Sequence, residues 1–92
     1  MTIPNYKWIA FYLIGTTGKT NQYDCHNKET GSLLGRVKWY GPFRKYSFFT
    51  EPDIVFEETC LKDISDFLSK LMADHKTRQQ KDKERQSVLY NR

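Results

Sequence analysis

The spacing of the apolar residues changes once along this chain, near Thr59. Before that point, aromatic and β-branched residues form short runs with a period of two, as in β-strands, and Gly and Pro interrupt them. After it, apolar residues recur every three or four positions, which is the period of one face of an α-helix. Strands that come first, with short connections, favour an antiparallel sheet that packs against the later helix.

Four strands and one helix are expected from these patterns. The predicted strands are Tyr6–Ile14, Asn21–Asn27, Leu33–Tyr40 and Phe43–Thr50, and the predicted helix is Thr59–Asp74. Both alternating sets of the first strand are apolar, which favours a strand covered on both faces or a central strand with one partly exposed aromatic face. The expected fold class is α+β, with a four-stranded antiparallel sheet and one C-terminal helix packed on one face.

The predicted helix begins with Thr59 as its cap, because a threonine hydroxyl accepts a hydrogen bond from a backbone N–H of the first turn. Its apolar face is expected to consist of Leu61, Ile64, Phe67, Leu68, Leu71 and Met72. Beyond Ala73 the apolar face ends, although Lys, Arg, Gln and Glu still favour helix. We therefore predict a single domain at 1–74, followed at 75–92 by a basic tail that is either a frayed helical extension or disordered.

The net charge of +4 belongs to the C-terminal end of the chain. Residues 75–92 hold six Lys or Arg against two acidic residues, whereas the charges of residues 1–74 cancel. Two cysteines are too few for a secreted disulfide framework, and no apolar run approaches the ~18 residues of a transmembrane helix. The first residues lack the pattern of a signal peptide, so we expect a cytoplasmic protein with no membrane partner.

The segments that flank Gly41-Pro42 are predicted to form a β-hairpin. The expected register pairs Arg36 with Ser47, Lys38 with Lys45 and Tyr40 with Phe43 on the solvent face, and Val37 with Tyr46 and Trp39 with Arg44 on the core face. A like-charge pair across two strands costs up to about 1 kcal/mol, and an anion or an acidic partner relieves it.

The solvent face of this hairpin combines cations with rings, as single-strand nucleic-acid binders do. The expected phosphate contacts are Arg36, Lys38 and Lys45, and the expected base-stacking rings are Tyr40 and Phe43. The tail adds Arg78, Lys81 and Arg85, which would follow a phosphate backbone. The alternatives are a lysine face that only prevents edge aggregation and a tail that only aids solubility.

The predicted function is therefore that of a small non-enzymatic binding protein whose first candidate partner is nucleic acid. A second hypothesis is a protein-binding inhibitor or regulator whose contact patch is the same aromatic hairpin, with or without Val88-Leu89-Tyr90 near the C-terminus. A third is capture of a small anionic nucleotide between the hairpin and a turn. In the third hypothesis the nucleotide site lies within one chain or across a homodimer.

Catalytic and metal sites are not expected. Cys25 and His26 are adjacent and would point to opposite faces of a strand, and together with Cys60 and His75 they lack the paired spacing of zinc ligands. A buried Cys25, a packed Cys60 and two surface histidines are the favoured interpretation. No motif joins a nucleophile to a base, so we expect no enzyme, no cofactor and no metal.

The middle third of the chain contains the run G-R-V-K-W-Y-G-P-F-R-K-Y-S-F-F, then E-P-D-I-V-F and C-L-K-D-I-S-D-F-L. Its most specific segment is W-Y-G-P-[aromatic]-R-x-Y. In these motifs the chain resembles a group of short uncharacterised proteins encoded by phages and bacterial genomes. Phe43 stands where such sequences often have Trp, and Ser47 where Cys is frequent. The resemblance implies a small stand-alone domain of phage origin and implies no activity. Small phage proteins often bind and block a host protein, so by analogy the partner of the second hypothesis is a host factor, such as a defence or polymerase component.

Overall fold

The computed structural model describes the backbone of residues 2–90 and the side chains of residues 2–77. Its elements are the strands β1 (Ile9–Thr17), β2 (Thr20–Asn27), β3 (Leu33–Tyr40) and β4 (Lys45–Thr50) and the helix α1 (Glu58–Tyr90). The strands form one antiparallel sheet in the order β1-β2-β3-β4, and the helix packs on one face of it. This arrangement confirms the predicted α+β fold class.

Phe67 of α1 lies at the centre of the core. Its ring is fully buried, stacks on Phe11 of β1 with 4.1 Å between ring centroids, and meets Tyr23 of β2 edge-on at 5.1 Å. Ile64 and Leu71, one turn before and after it, are also buried. Aromatic pairs of this kind add about 0.5–1.5 kcal/mol beyond the area that they bury. The same face of the helix therefore meets the first two strands through one aromatic cluster.

The start of α1 differs from the prediction. The helix begins at Glu58, and the Oε1 of Glu57 accepts a hydrogen bond from the backbone N–H of Cys60 at 2.6 Å. Backbone hydrogen bonds from Cys60 and Thr59 lower the pKa of the Glu57 carboxyl. Glu57 therefore caps the helix, and the predicted cap at Thr59 is wrong. The prediction failed because Ser, Thr, Asp and Asn are the usual capping residues, so the sequence alone favours Thr59 over Glu57 as the cap.

The buried face of α1 is also displaced from the predicted one. Leu61, which was expected on this face, is 52% exposed, whereas His75 is only 7% exposed. The His75 ring lies 4.7 Å from the Trp39 ring between centroids. The prediction of a surface His75 is therefore wrong, because a flat imidazole one turn beyond Leu71 extends the packed face. The domain boundary at residue 74 stays a prediction, although packing continues at least to His75.

Strand β1 lies at an edge of the sheet rather than in its centre. It starts at Ile9 and runs through Gly15 to Thr17, with an irregularity in its pairing between Leu13 and Gly15. Ile9 and Phe11 are buried, but Tyr12, Leu13 and Ile14 are each about half exposed. The prediction of a central strand, or of one covered on both faces, is therefore wrong.

Tyr6 joins the segment before β1 to the helix. Its hydroxyl donates a hydrogen bond to the Oδ2 of Asp66 at 2.7 Å, and its ring meets Phe11 edge-on at 5.7 Å. Burial, together with the hydrogen bond to Asp66 and its negative charge, raises the pKa of the Tyr6 phenol well above its usual range. The protonated phenol is thus the form that the folded chain favours.

Replacement of Tyr6 by Phe should lower the free energy of unfolding at pH 7 and lower it less above pH 10. A tyrosine in the unfolded chain has a pKa of about 10. Because the pKa of Tyr6 is higher in the folded chain, its full contribution to the free energy of unfolding is present below pH 10 and is lost as the pH rises beyond that value. Urea unfolding of both proteins at pH 7 and at about pH 11 measures the difference. A Tyr6→Phe effect that stays the same at both pH values would contradict this account.

Gly35 should tolerate no side chain. A Cβ at this position would lie 2.5 Å from the carbonyl oxygen of Phe49 and 2.7 Å from the Phe48 ring. Gly35→Ala should therefore lower the free energy of unfolding by about 1–3 kcal/mol, as overpacked cores do. Gly41→Ala is the matched control, since a Cβ at Gly41 meets no atom within 4 Å. Equal effects of the two substitutions in urea unfolding would disprove the proposed packing.

Candidate functional site

The hairpin of β3 and β4 has a different register from the predicted one. The structure pairs Arg36 with Phe49, Lys38 with Ser47 and Tyr40 with Lys45 on one face, and Val37 with Phe48 and Trp39 with Tyr46 on the other. The predicted pairs of Lys38 with Lys45, Tyr40 with Phe43 and Trp39 with Arg44 are therefore wrong by two residues. β4 accordingly begins at Lys45 rather than at Phe43.

The turn explains the shift in register. Gly41–Phe43 form a 3-10 turn, and the N–H of Arg44 donates to the carbonyl oxygen of Gly41 at 3.0 Å. Arg44 has a φ of 51°, in the left-handed region that Gly and Asn usually occupy. Nothing in the residue types of this loop indicates that an arginine takes this conformation, so the four-residue connection could not be read from the sequence.

A shift by two residues leaves each side chain on its predicted face, because side chains alternate along a strand. Lys38, Tyr40 and Lys45 thus share the face of the sheet that points away from α1, with Lys45 on the diagonal from Lys38. Phe43 lies in the turn beside them, is 68% exposed, and meets the Tyr40 ring edge-on at 4.8 Å. We call this surface, formed by Arg36, Lys38, Tyr40, Phe43, Lys45 and Phe49, the hairpin face.

Phe49 is the residue of the hairpin face that the sequence did not point to. The Lys38 Nζ lies 4.5 Å from the centroid of its ring, and the Tyr40 ring lies 5.8 Å away. A cation over an aromatic ring at an exposed site contributes about 0.5–1 kcal/mol. The ring therefore holds the Lys38 ammonium against the sheet surface. Only the true register, which places Phe49 opposite Arg36, could have indicated this contact.

Arg36 is the member of the hairpin face whose charge is most compensated. Its Nε lies 3.1 Å from the Oδ1 of Asp24, and the other oxygen of that carboxylate lies 3.7 Å from the Nε2 of His26. No salt bridge to Lys38 or Lys45 is found among the side chains that the structure describes. The positive charge of the hairpin face that no described carboxylate compensates therefore lies near the turn, at Lys38 and Lys45.

A groove of about 610 Å³ lies on the other side of Lys45, between β4 and α1. Its lining includes the apolar residues Leu68 and Met72 and the basic residues Arg44, Lys45 and Lys76. None of its lining residues carries a carboxylate. The positive charge of the turn is thus shared by the hairpin face and the groove.

Trp39 was expected to contact Arg44. It instead packs edge-on against Tyr46 on the core face, with 5.5 Å between the ring centroids.

The tail candidates Arg78, Lys81 and Arg85 lie in the last part of α1, and their side chains are outside the described residues. The Val88-Leu89-Tyr90 segment lies there as well. The contribution of the tail to a binding surface accordingly stays a prediction. Only the hairpin candidates can be placed by geometry.

The two thiols do not have the environment of catalytic nucleophiles. Cys25 is completely buried, and burial raises the pKa of its thiol to about 12. Partial burial and the carboxylate of Glu57 also raise the pKa of Cys60. A reactive cysteine requires a lowered pKa and a positive environment. Among the described residues, no group of three or more His, Cys, Asp or Glu could hold a metal ion.

In the part of the chain that the structure describes, no helix is both long enough and apolar enough to cross a bilayer. The 33-residue α1 has the length but is too polar.

A phage protein is similar to most of this chain over nearly its own whole length. The uncharacterized 9.3 kDa protein of Acholeplasma phage L2 is 31% identical over 77 residues, which are 83% of this chain and 99% of the phage protein. This chain belongs to the same family of small phage proteins. No family model and no solved structure matches it. The relationship confirms the resemblance to short phage proteins, and the W-Y-G-P-[aromatic]-R-x-Y pattern stays a prediction.

Proposed function

We propose that this member of the small phage protein family binds single-stranded nucleic acid on its hairpin face. The supporting observation is that Lys38 and Lys45 share an open sheet surface with the rings of Tyr40, Phe43 and Phe49. Proteins that bind single strands stack bases on aromatic side chains and attract phosphates with nearby cations. An open sheet with aromatic residues is one of the surfaces that serve this purpose.

Phe43 is the best placed ring for a first base. It projects from the turn, and its contact with Tyr40 is edge-on, so the neighbouring ring does not stack on it. A base that stacks on such a ring contributes about 1–3 kcal/mol to binding. Only an unpaired base offers its face in this way, which favours single strands over duplexes.

The two lysines are proposed as the phosphate contacts. Lys38 is held over Phe49, and Lys45 lies directly opposite Tyr40 where the strands end. Arg36 is expected to contribute less, since Asp24 already compensates much of its charge. Arg78, Lys81 and Arg85 are proposed as secondary contacts that add a salt-dependent term.

A host protein is the competing partner, and the groove beside Lys45 supports it. A groove lined by apolar and basic residues, with no carboxylate among them, suits an acidic, partly apolar segment of another protein. Tyr, Phe and Arg are common at protein interfaces, so the hairpin residues serve this hypothesis too. The phage protein would then inhibit or regulate a factor in the cytoplasm of its host.

Charge reversal at the hairpin face should abolish binding to random-sequence single-stranded oligonucleotides. Wild type should shift such oligonucleotides at low salt and shift duplexes of equal length less. Lys38→Glu/Lys45→Glu should lose the shift, and the slope of log K against log salt should fall by about one for each lysine lost from the contact. Fluorescence anisotropy at several salt concentrations measures both quantities.

The matched control is Lys7→Glu/Lys62→Glu, which makes the same charge change at two exposed lysines away from the hairpin face. It should bind nearly as wild type does. Phe43→Leu keeps an apolar side chain but removes the stacking ring, and should weaken binding between about 5-fold and 150-fold, the equivalent of 1–3 kcal/mol. No binding by wild type at low salt, or equal losses in both double variants, would overturn the proposal.

A truncation separates the hairpin from the tail. The chain should end after Thr77 rather than after Asp74, because His75 packs in the core. This variant should retain binding with a smaller salt dependence. Loss of binding only on truncation would move the site to the tail.

A further inference from the structure

We propose that this protein forms a symmetric dimer in which β1 pairs antiparallel with β1 of a second copy. The strand lies at one end of the sheet, with β2 on one side and no strand of the described chain on the other. Edge strands with free backbone groups pair readily with a further strand unless charges, proline or a covering segment prevent it. This dimer does not depend on what the hairpin face binds.

The backbone groups available for pairing follow from the ladder with β2. The N–H of Lys28 donates to the carbonyl oxygen of Trp8 at 3.0 Å, so Trp8 and Lys28 form a hydrogen-bonded pair. In an antiparallel pair of strands, hydrogen-bonded residue pairs alternate with pairs that share no hydrogen bonds. The N–H and C=O groups of Ile9, Phe11 and Leu13 therefore point away from β2, towards the open edge. These residues lie in the regular part of β1, before the irregularity that follows Leu13.

A two-fold axis at Phe11 makes this edge complementary to itself. Phe11 then lies opposite Phe11 of the second copy, and Ile9 lies opposite Leu13 of the second copy. On the other face, Tyr12 lies opposite the small Ala10, and at the ends Trp8 lies opposite Ile14. A two-fold contact of this kind uses the same surface patch on both chains, as most homodimers do.

This register brings the exposed apolar side chains of residues 8–14 beside side chains of the second copy. Trp8 is 47% exposed, Tyr12 56%, Leu13 55% and Ile14 48%, and these are four of the seven large hydrophobic residues that are exposed among the described side chains. Each of the four gains a cross-strand neighbour in the dimer. Concentration of exposed apolar residues on one short segment is typical of interaction surfaces.

Charge also favours a second copy as the occupant of this edge. The chain has a net charge of +4 and 28% charged residues, but none between Trp8 and Gly18. Two copies can therefore pair there without placing like charges opposite each other. The other edge of the sheet is less suited, since β4 begins with Lys45 and the N–H of Tyr46 already donates to the Met72 sulfur at 3.3 Å.

The dimer should be concentration-dependent, because a single pair of strands is a smaller contact than the ~800 Å² per partner of a standard stable interface. Sedimentation velocity on the full chain should show a rising dimer fraction as the concentration increases. Leu13→Lys, which places a charge opposite Ile9, should be monomeric throughout. The control Val55→Lys changes a side chain that is 93% exposed and distant in sequence from β1, and should dimerise like wild type.

A cross-link tests the register. Residues 10 and 12 would face each other as a pair without backbone hydrogen bonds, for which a Cα separation near 4.5 Å permits a disulfide. In a Cys60→Ser background, Ala10→Cys mixed with a size-tagged Tyr12→Cys should give the mixed disulfide dimer, whereas either variant alone should give little. Wild type that is monomeric at all concentrations up to about 1 mM, or equal cross-linking in the mixture and in each variant alone, would overturn the proposal.

Discussion

The contact between Phe67 and the first two strands determines which side of the sheet meets solvent. Because this ring stacks on Phe11 and lies edge-on to Tyr23, α1 covers one face and leaves the other open. Side chains alternate along each strand, so this choice also determines the orientation of the hairpin residues. Val37, Trp39 and Tyr46 turn towards the helix side, and the lysines of the hairpin face turn away from it.

The features that could be predicted from the sequence depend on local periodicity. The change of period near Thr59 indicated the fold class. The alternation in Leu33–Tyr40 predicted the bounds of β3 and the faces of the side chains from Arg36 to Tyr40, but not the burial of Leu34. The register of the hairpin could not be predicted in the same way. It depends on the backbone conformation of Arg44, a residue type that seldom adopts a positive φ. The contact of Lys38 with Phe49 was missed for the same reason.

The ends of the buried surface were also difficult to predict. A histidine in a charged segment is usually exposed to solvent, yet His75 is buried, with its ring tilted by 41° against the Trp39 ring. The two-sided apolar pattern of β1 favoured a central position, because large apolar residues are commonly buried by the same chain. The structure instead leaves Tyr12, Leu13 and Ile14 at an edge. The dimer proposed above would place a second strand beside these residues.

The register of β3 and β4 decides which rings and cations lie side by side on the hairpin face. Nuclear Overhauser spectra of the labelled protein test it directly, since facing residues without mutual hydrogen bonds bring their Hα atoms close together in an antiparallel pair. The structure predicts Hα cross peaks between Trp39 and Tyr46 and between Val37 and Phe48, and contacts from the Lys38 side chain to the Phe49 ring. Cross peaks between Val37 and Tyr46, with none from Lys38 to Phe49, would contradict it.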